Sequence, residues 1–158
     1  MNLSFIGLGV MGYPMAGFLA SAGYQVTVFN RTESKAEKWS QEFNGSYALT
    51  PLEASKNADI IFTCVGNDDD VRQVILGPDG VIHGLKNDAI VVDHTTASSV
   101  LAEELDSHIS DAGGSFIDAP LSGGQAGAES GQLTIMVGGE EAIFTKVSPV
   151  MNNYAKAC

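Results

Sequence analysis

The sequence predicts an α/β fold in which helices cover both faces of a doubly wound, mostly parallel sheet. Short apolar segments alternate with longer segments whose apolar residues recur every three or four positions, a pattern typical of strands joined by crossover helices. Glycines, which make up 18 of the 158 residues, cluster where these segments end and indicate tight turns. No repeat, low-complexity tract or charged linker interrupts the pattern, so we expect one domain over residues 1–158.

Six segments are predicted to be strands because each is short and either continuously apolar or alternately polar and apolar. They are Asn2–Ile6, Gln25–Phe29, 59–65, 89–93, Ser115–Asp118 and 132–137. The glycine-rich stretch 122–131 is predicted to be a loop that separates the last two strands.

Six further segments have the spacing of amphipathic helices. They are residues 11–21, 32–42, 51–56, Asp68–Leu76, 97 or 98 to 111, and 140–151. We expect Thr32 to cap the second helix and Gly23 to follow the end of the first. The aspartates at 68–70 favour the start of the fourth helix through N-capping and the helix dipole, which is a simpler interpretation than a paired-carboxylate site.

The composition excludes several classes of partner. The formal net charge of −11 argues against nucleic acid and anionic membranes, and no stretch reaches the ~20 uninterrupted apolar residues of a membrane span. Cys64 and Cys158 are too few for a disulfide framework, and neither the cysteines nor the three histidines have the spacing of metal ligands. We therefore expect no metal, a cytoplasmic location and a buried Cys64.

The glycine turn after the first predicted strand indicates a dinucleotide site. Gly7, Gly9 and Gly12 have G-x-G-x-x-G spacing and lie between a strand and a helix. In a Rossmann-type fold the first glycine permits the tight turn, the second lets the backbone approach the pyrophosphate, and the third permits close packing of helix and strand. The helix N-terminus then presents free N–H groups to phosphate oxygens. The alternative is an ordinary strand–helix turn, which this context disfavours.

The residues after the second predicted strand favour NADP(H) over NAD(H). About 20 residues beyond the glycine motif, NAD-binding folds place an acidic residue that binds the ribose 2′-hydroxyl. Here the chain has Asn30, Arg31 and Thr32 instead. A guanidinium and a hydroxyl can bind a 2′-phosphate through charge-assisted hydrogen bonds, whereas a carboxylate would repel it. The alternative is that Arg31 is a hydrated loop cation.

Seven blocks of the sequence resemble the β-hydroxyacid dehydrogenases, a family that includes 3-hydroxyisobutyrate dehydrogenases and tartronate semialdehyde and glyoxylate reductases. The blocks are FIGLGVMGYPMA (5–16), AG (22–23), NRT (30–32), DHTT (93–96), DAPLSGG (118–124), AGAESG (126–131) and LTIMVGG (133–139). They occur in the family's order and cover essentially the whole chain. The resemblance implies an oxidoreductase that transfers a hydride between NADP(H) and a small 3-hydroxy acid or semialdehyde.

The resemblance also implies roles for individual residues. Cofactor contacts are implied for Gly7, Leu8, Gly9, Val10, Met11, Gly12, Asn30, Arg31, Thr32, Val65 and Thr96. The substrate carboxylate is implied to meet Ser122, Gly123 and Gly124, and a hydroxyl beside a Gly-Gly turn is a good anion cradle. His94 is a candidate for the cleft wall, and a structural role is expected for Asp118.

Members of the resembled family are nearly twice this length. Beyond the nucleotide domain they carry a helical domain that supplies the catalytic lysine, a nearby asparagine and the dimer contacts. Lys156, Asn152 and Asn153 do not match those positions. The resemblance therefore implies that this chain is a dinucleotide-binding domain with negligible turnover alone, and that the full-length enzyme is a homo-oligomer.

Two other functions stay open. A non-catalytic NADP(H)-binding or sensor module would share the cofactor site, although it has no need for a carboxylate cradle. A nucleotide-sugar or S-adenosylmethionine enzyme on a similar fold is disfavoured by the Asn30, Arg31 and Thr32 block.

Overall fold

The computed structural model describes all residues from Met1 to Cys158 and contains two β-sheets. The nine strands are β1 (Asn2–Ile6), β2 (Gln25–Phe29), β3 (Ser46–Tyr47), β4 (Ile60–Thr63), β5 (Ile90–Asp93), β6 (Ser115–Asp118), β7 (Leu121–Ser122), β8 (Leu133–Ile135) and β9 (Ala155–Ala157). The seven α-helices are α1 (Gly12–Ser21), α2 (Glu33–Phe43), α3 (Pro51–Ser55), α4 (Asp68–Leu76), α5 (Ser99–Asp111), α6 (Gly124–Ser130) and α7 (Glu141–Met151). One 3₁₀ turn lies at Val81–His83.

The larger sheet has six parallel strands in the order β3-β2-β1-β4-β5-β6. In its centre, Phe5 of β1 lies opposite Val28 of β2 on one side and Phe62 of β4 on the other. The chain therefore winds outward in both directions from the β1–β4 pair, and a crevice opens at the C-terminal ends of these two strands. The predicted doubly wound α/β sheet is confirmed.

Alternating side chains give each face of this sheet its own apolar cluster. Leu3 and Phe5 of β1 join the cluster beneath α1, α2, α6 and α7. Ile6 and Ile61 join the opposite cluster beneath α3, α4 and α5. All four residues of β4 and of β5 are buried, because helices cover both faces and leave no side of these strands to water.

The smaller sheet was not predicted. β7 pairs antiparallel with β8, and β9 runs parallel to β8 on its other side. The strand predicted at 132–137 is real but is limited to Leu133–Ile135. The predicted loop at 122–131 is wrong, because helix α6 occupies Gly124–Ser130.

Glycine content misled that prediction because the glycines lie at the ends of α6. Gly123 and Gly131, with φ of 132° and 65°, flank a segment of alanine, glutamine and glutamate, which are good helix formers. Gly124 is the first residue of the helix, and Gly127 lies in its middle, where a Cβ atom would come within 3.2 Å of Leu133 Cδ2.

Helix capping agrees with the sequence in part. Ser98 caps α5 by accepting the N–H of Leu101, which agrees with the predicted start of this helix at residue 97 or 98. Thr32 occupies the N-cap position of α2, yet its side chain makes no capping hydrogen bond. Asn67, not an aspartate, caps α4 by accepting the N–H of Asp70, since an Asx side chain just before the helix reaches the orphan N–H groups best. No helix is both long enough and apolar enough to cross a membrane.

Candidate dinucleotide-binding site

The glycine turn joins β1 to α1 at the central crevice. The absence of a side chain matters for a different geometric reason at each of its three glycines. A Cβ atom on Gly7, whose φ is +98°, would lie 2.3 Å from the carbonyl oxygen of Cys64. A Cβ atom on Gly12 would lie 2.0 Å from the carbonyl oxygen of Gly7. Gly9 differs because its Cβ position faces open space, with no atom within 4 Å. Two glycines are therefore required by packing, and the third leaves room for a ligand.

Backbone N–H groups at this turn are free to bind an anion. Gly7 donates to the carbonyl oxygen of Phe29, and Tyr13 donates to Gly9. Between them, the four N–H groups of residues 9–12 have no acceptor in the protein. They precede the first hydrogen-bonded turn of α1, where the helix dipole also favours negative charge. This arrangement suits a phosphate or pyrophosphate group.

A cleft of about 640 Å³ extends from this turn along the C-terminal ends of β1, β2 and β4. Nine of the sequence-predicted cofactor residues line it, namely Gly7, Gly9, Val10, Met11, Gly12, Asn30, Arg31, Thr32 and Val65. Leu8 and Thr96 do not line it, and neither does the Ser122–Gly124 block. Leu49 and Val74 add apolar surface to its walls, as a site for an adenine ring requires.

A second groove, of about 560 Å³, lies at the opposite ends of β1 and β2. Its walls include Asn2, Gln25, Asn57 and Glu53, but no lysine, arginine or histidine. Without a cation or a free helix N-terminus, this groove does not suit an anionic ligand. The glycine-turn cleft is therefore the candidate site.

Asn30 connects the two halves of the cleft. Its Oδ1 atom accepts the N–H of Leu8 at 3.0 Å, and its Nδ2 atom donates to the carbonyl oxygen of Thr32 at 3.1 Å. Leu8 itself is fully buried. The Asn30 amide thus holds the glycine turn against the loop after β2, a positioning role that the sequence did not reveal.

Arg31 is the only cation that lines the cleft. Its side chain is 91% exposed, and its Nη1 atom lies 3.9 Å from Oδ1 of Asp70, at the start of α4 on the facing wall. A guanidinium this exposed is free to turn toward a ligand at the loop after β2.

A buried carboxylate organises the ends of β4 and β5. Oδ1 of Asp93 accepts Thr63 Oγ1 at 2.7 Å and the N–H of Thr95 at 3.0 Å. Thr95 Oγ1 in turn accepts the N–H of Val65 at 3.0 Å, which fixes the turn that lines the cleft. Burial raises the pKa of Asp93 above its ordinary value, although the bonds from Thr63 and Thr95 oppose that rise. Nothing in the spacing of these residues pointed to this network.

With this geometry established, comparison with known proteins decides the family. Residues 2–158 match the family model described as the NAD binding domain of 6-phosphogluconate dehydrogenase. The chain belongs to this family of NAD-binding domains. Free N–H groups at the glycine turn and an apolar cleft beside them are what such a domain requires.

Several curated relatives of this NAD-binding domain are named as oxidoreductases, dehydrogenases or reductases. An uncharacterized oxidoreductase of Shewanella frigidimarina is 54% identical over 98% of the chain and 53% of its own length. The probable 3-hydroxyisobutyrate dehydrogenase-like 1, mitochondrial, of Arabidopsis thaliana is 41% identical over 98% of the chain and 46% of its own length. The 2-hydroxy-3-oxopropionate reductase of Escherichia coli is 36% identical over 99% of the chain and 53% of its own length. These relatives confirm the resemblance to the β-hydroxyacid dehydrogenases.

Solved structures share the fold closely. The 3-hydroxyisobutyrate dehydrogenase of Mycobacterium tuberculosis with L-serine superposes with a TM-score of 0.92 at 29% identity, over 99% of this chain and 53% of that one. Psf3 in complex with NADP+ and 2-OPP superposes with a TM-score of 0.91 at 28% identity, over 98% of this chain and 55% of that one. The chain spans about half the length of the proteins it matches. It is an NAD-binding domain similar in sequence and fold to those of hydroxyacid dehydrogenase-like oxidoreductases.

The remaining predicted site residues of this NAD-binding domain lie outside the cleft. Thr96 is exposed, although β5 and the two residues that follow it, His94 and Thr95, are buried. Ser122 is exposed and pairs with Thr134 in the smaller sheet. Gly123 and Gly124 follow it with φ of 132° and 61°, values that a side chain would strain.

His94 is not a cleft residue, contrary to its candidacy as one. It is 2% exposed, stacks on Phe62 and bonds Ala119 and Tyr154 through its two ring nitrogens. Burial lowers its pKa to about 4, so the ring is neutral at pH 7. It directly follows β5 and packs in the interior between the rings of Phe62 and Tyr154. Cys64 is half-buried, and burial raises the pKa of its thiol to about 12, which removes thiolate reactivity.

Proposed function

We propose that this chain is the NADP(H)-binding domain of an oxidoreductase that acts on a small 3-hydroxy acid or semialdehyde. The observation that carries the proposal is the set of four free N–H groups at residues 9–12, in a turn where the Cβ position of Gly9 faces open space. They lie at the topological switch point, where ligands of doubly wound sheets bind. In the whole enzyme the hydride would pass between the hydroxyl carbon of the substrate and C4 of the nicotinamide.

A preference for NADP(H) over NAD(H) is supported by the charges at the end of β2. Arg31 lines the cleft there and no carboxylate follows the strand directly. A 2′-phosphate would gain charge-assisted hydrogen bonds from the guanidinium. An NAD-type site would instead offer a carboxylate to the ribose 2′-hydroxyl. The Psf3 complex, named with NADP+, is consistent with this preference.

The substrate class is supported by the Ser122–Gly124 turn and by the names of the relatives. The Ser122 side chain is exposed, and Gly123 and Gly124 adopt positive φ values, so backbone and hydroxyl groups are available to a carboxylate. Proteins named for 3-hydroxyisobutyrate and for 2-hydroxy-3-oxopropionate both act on small three- or four-carbon acids. A pure sensor module would not need this turn.

The chain alone is proposed to bind cofactor without significant turnover. None of its lysines lines the cleft, and buried His94 is unavailable as a general acid or base. Proton transfer to and from the substrate hydroxyl therefore lacks a group. Assays of NADPH oxidation with a panel of small semialdehydes test this, and substantial activity of the 158-residue chain would contradict it.

Cofactor preference is tested by titrating the chain with NADPH and with NADH and following nicotinamide fluorescence. We expect the wild type to bind NADPH more tightly. Arg31→Gln should weaken NADPH binding by about 10- to 100-fold and NADH binding by less than about twofold. Lys35→Gln is the matched control, since it removes an exposed cation that does not line the cleft. Equal affinity of the wild type for the two cofactors would refute the preference.

Two properties of the whole protein belong to the same proposal. A cytoplasmic location is supported by two free cysteines, Cys64 and Cys158, which suit a reducing compartment. A homo-oligomeric state of the longer enzyme is expected from the family resemblance. Cell fractionation and light scattering on the full-length protein check these two points separately.

A further inference from the structure

Asp70 faces Arg31 across the candidate cleft. Arg31 follows β2 on one wall, and Asp70 lies in the first turn of α4 on the other. Their closest atoms, Nη1 and Oδ1, are 3.9 Å apart. The Asp70 side chain is 35% exposed, against 91% for Arg31, so the carboxylate is held by the wall while the guanidinium extends into solvent.

The carboxylate is fixed in this position by the turn beneath it. A Cβ atom on Gly66 would lie 2.5 Å from Oδ2 of Asp70, which shows that the Asp70 carboxylate rests on the turn after β4. No hydrogen bond within the protein engages that carboxylate. Its one ion-pair partner is the guanidinium on which the proposed 2′-phosphate site depends.

The two neighbouring aspartates are engaged elsewhere. Asp68 accepts the N–H and the hydroxyl of Ser98, which ties α4 to α5. Asp69 is 97% exposed and pairs with Arg72 at 3.6 Å. Neither lines the cleft. Of the acidic residues at the start of α4, only Asp70 can act on a ligand at Arg31.

We propose that Asp70 competes with the 2′-phosphate of NADP(H) for Arg31 and thereby limits the affinity of the domain for that cofactor. The 2′-phosphate of NADP(H) would compete for the guanidinium with the Asp70 carboxylate, whose Oδ1 atom lies 3.9 Å from Nη1 of Arg31. NAD(H), which has a 2′-hydroxyl, would not enter this competition. The inference rests on the proposed function, since it assigns Arg31 to the 2′-phosphate, and it makes Asp70 a specificity-determining residue.

Charge in the cleft supports this competition. Arg31 is its only cation, whereas Asp70 and Asp79 both line it. A bound 2′-phosphate carries close to two negative charges at neutral pH. It would meet a carboxylate within a few ångströms of the guanidinium, and in a partly exposed cleft that costs a few-fold in affinity.

The test is Asp70→Asn, with Asp69→Asn as the control that makes the same change in net charge one residue away. We expect Asp70→Asn to tighten NADPH binding by about three- to tenfold and to change NADH binding by less than about twofold. The gain should shrink at high salt, which screens exposed charges. Asp69→Asn should leave both affinities unchanged. Circular dichroism verifies that both variants fold.

Five results would overturn the inference, the first being that Asp70→Asn shows no selective gain in NADPH binding. Weaker NADPH binding by Asp70→Asn would mean that Asp70 positions Arg31, and an equal change for both cofactors would mean that Asp70 contacts adenosine itself. An equal gain in Asp69→Asn would indicate a general charge effect. In an Arg31→Gln background the gain should fall below about twofold, and a gain that persists would show direct repulsion without competition.

This experiment separates the inference from the cofactor preference on which it rests. If the wild type binds NADPH and NADH equally, the preference fails. The Asp70→Asn titration still reports on the competition, because a selective gain for NADPH would show that the ion pair masks Arg31. If the wild type prefers NADPH and Asp70→Asn shows no selective gain, only the inference fails.

Discussion

Oδ1 of Asn30 accepts the backbone N–H of Leu8 at 3.0 Å, across 22 residues of sequence. The bond joins the glycine turn after β1 to the loop after β2, and the Nδ2 atom of Asn30 completes the link by donating to Thr32. Together with the bond from the Gly7 N–H to the carbonyl oxygen of Phe29, the Asn30 amide therefore fixes the distance between the proposed pyrophosphate site and the proposed 2′-phosphate site. Because the bonds of Asn30 hold these two sites in place before a ligand binds, binding costs less conformational entropy.

Asn30→Ala should weaken NADPH and NADH binding to a similar degree, by about fivefold, because it loosens the glycine turn that both cofactors use. The free energy of unfolding should fall by about 1 kcal/mol. Isothermal titration and urea unfolding measure the two effects. Asn57→Ala is the control, since the Asn57 side chain is exposed at the far end of the strands. A loss confined to NADPH would instead indicate a direct contact of Asn30 with the 2′-phosphate.

Gly9 and Gly12 should respond oppositely to the same substitution. Gly9→Ala places a methyl group in open space, so the free energy of unfolding should change by less than about 0.5 kcal/mol. That methyl would meet an approaching pyrophosphate, and affinity for both cofactors should fall by about 10- to 100-fold. Thermal melts and fluorescence titration of the variant test both halves of this expectation.

Gly12→Ala is the matched counterpart. Its Cβ atom would lie 2.0 Å from the carbonyl oxygen of Gly7, so the strand and helix must separate. We expect the free energy of unfolding to fall by more than about 2 kcal/mol. If Gly9→Ala were the more destabilising variant, or if it bound cofactor normally, the assignment of Gly9 to the ligand would be wrong.

Local patterns in the sequence were enough to predict the larger sheet. Its central strands β4 and β5 contain continuous apolar runs at 60–62 and 90–92 and are buried on both faces, and no other element gives that signal so clearly. The glycine turn was also predictable from a local pattern, because its three glycines lie within six consecutive residues. Nine predicted cofactor residues accordingly line one cleft.

Long-range relationships were not predictable. β3 and β7 have two residues each, and β9 has three, which is too short for alternation to register. The contacts of Asp70 with Arg31 and of Asp93 with Thr63 join residues 30 or more positions apart. They exist only because parallel strands bring their C-terminal ends to one edge. The aspartates at 68–70, interpreted from the sequence only as the start of a helix, therefore each have a different partner in the structure.

The hydroxyl of Thr95 should support cofactor binding indirectly. It accepts the N–H of Val65 at 3.0 Å, so Thr95→Val leaves that donor unpaired in a half-buried turn. We expect a loss of about 1 kcal/mol in unfolding free energy and a few-fold weaker binding of either cofactor. Thr95→Ser keeps the hydroxyl and should restore both quantities. Failure of serine to restore binding would show that the methyl group, not the hydrogen bond, matters.

His94 lies in a buried hydrogen-bonded chain between the two sheets. Its Nδ1 atom lies 2.7 Å from the carbonyl oxygen of Ala119, and its Nε2 atom lies 2.8 Å from the hydroxyl of Tyr154. A carbonyl only accepts, so Nδ1 carries the proton and Nε2 accepts the Tyr154 O–H when the ring is neutral. Protonation of Nε2 would force Tyr154 to reverse its bond and would place a charge in the core.

Stability should therefore fall as the solution is acidified through the titration range of His94. Burial lowers the pKa of His94 in the folded chain from 6.5 to about 4, so the unfolded chain binds the extra proton between these values. The stabilisation is complete above pH 6.5 and is lost progressively down to about pH 4, on the order of 3 kcal/mol in total. Urea unfolding of wild type and His94→Gln from pH 4 to 7.5 measures this loss of stability.

Burial raises the pKa values of Asp93 and Asp118 in both proteins. This effect on stability has the opposite pH dependence and cancels when the two proteins are compared. A stability difference between the two proteins that stays constant with pH would show that His94 titrates normally.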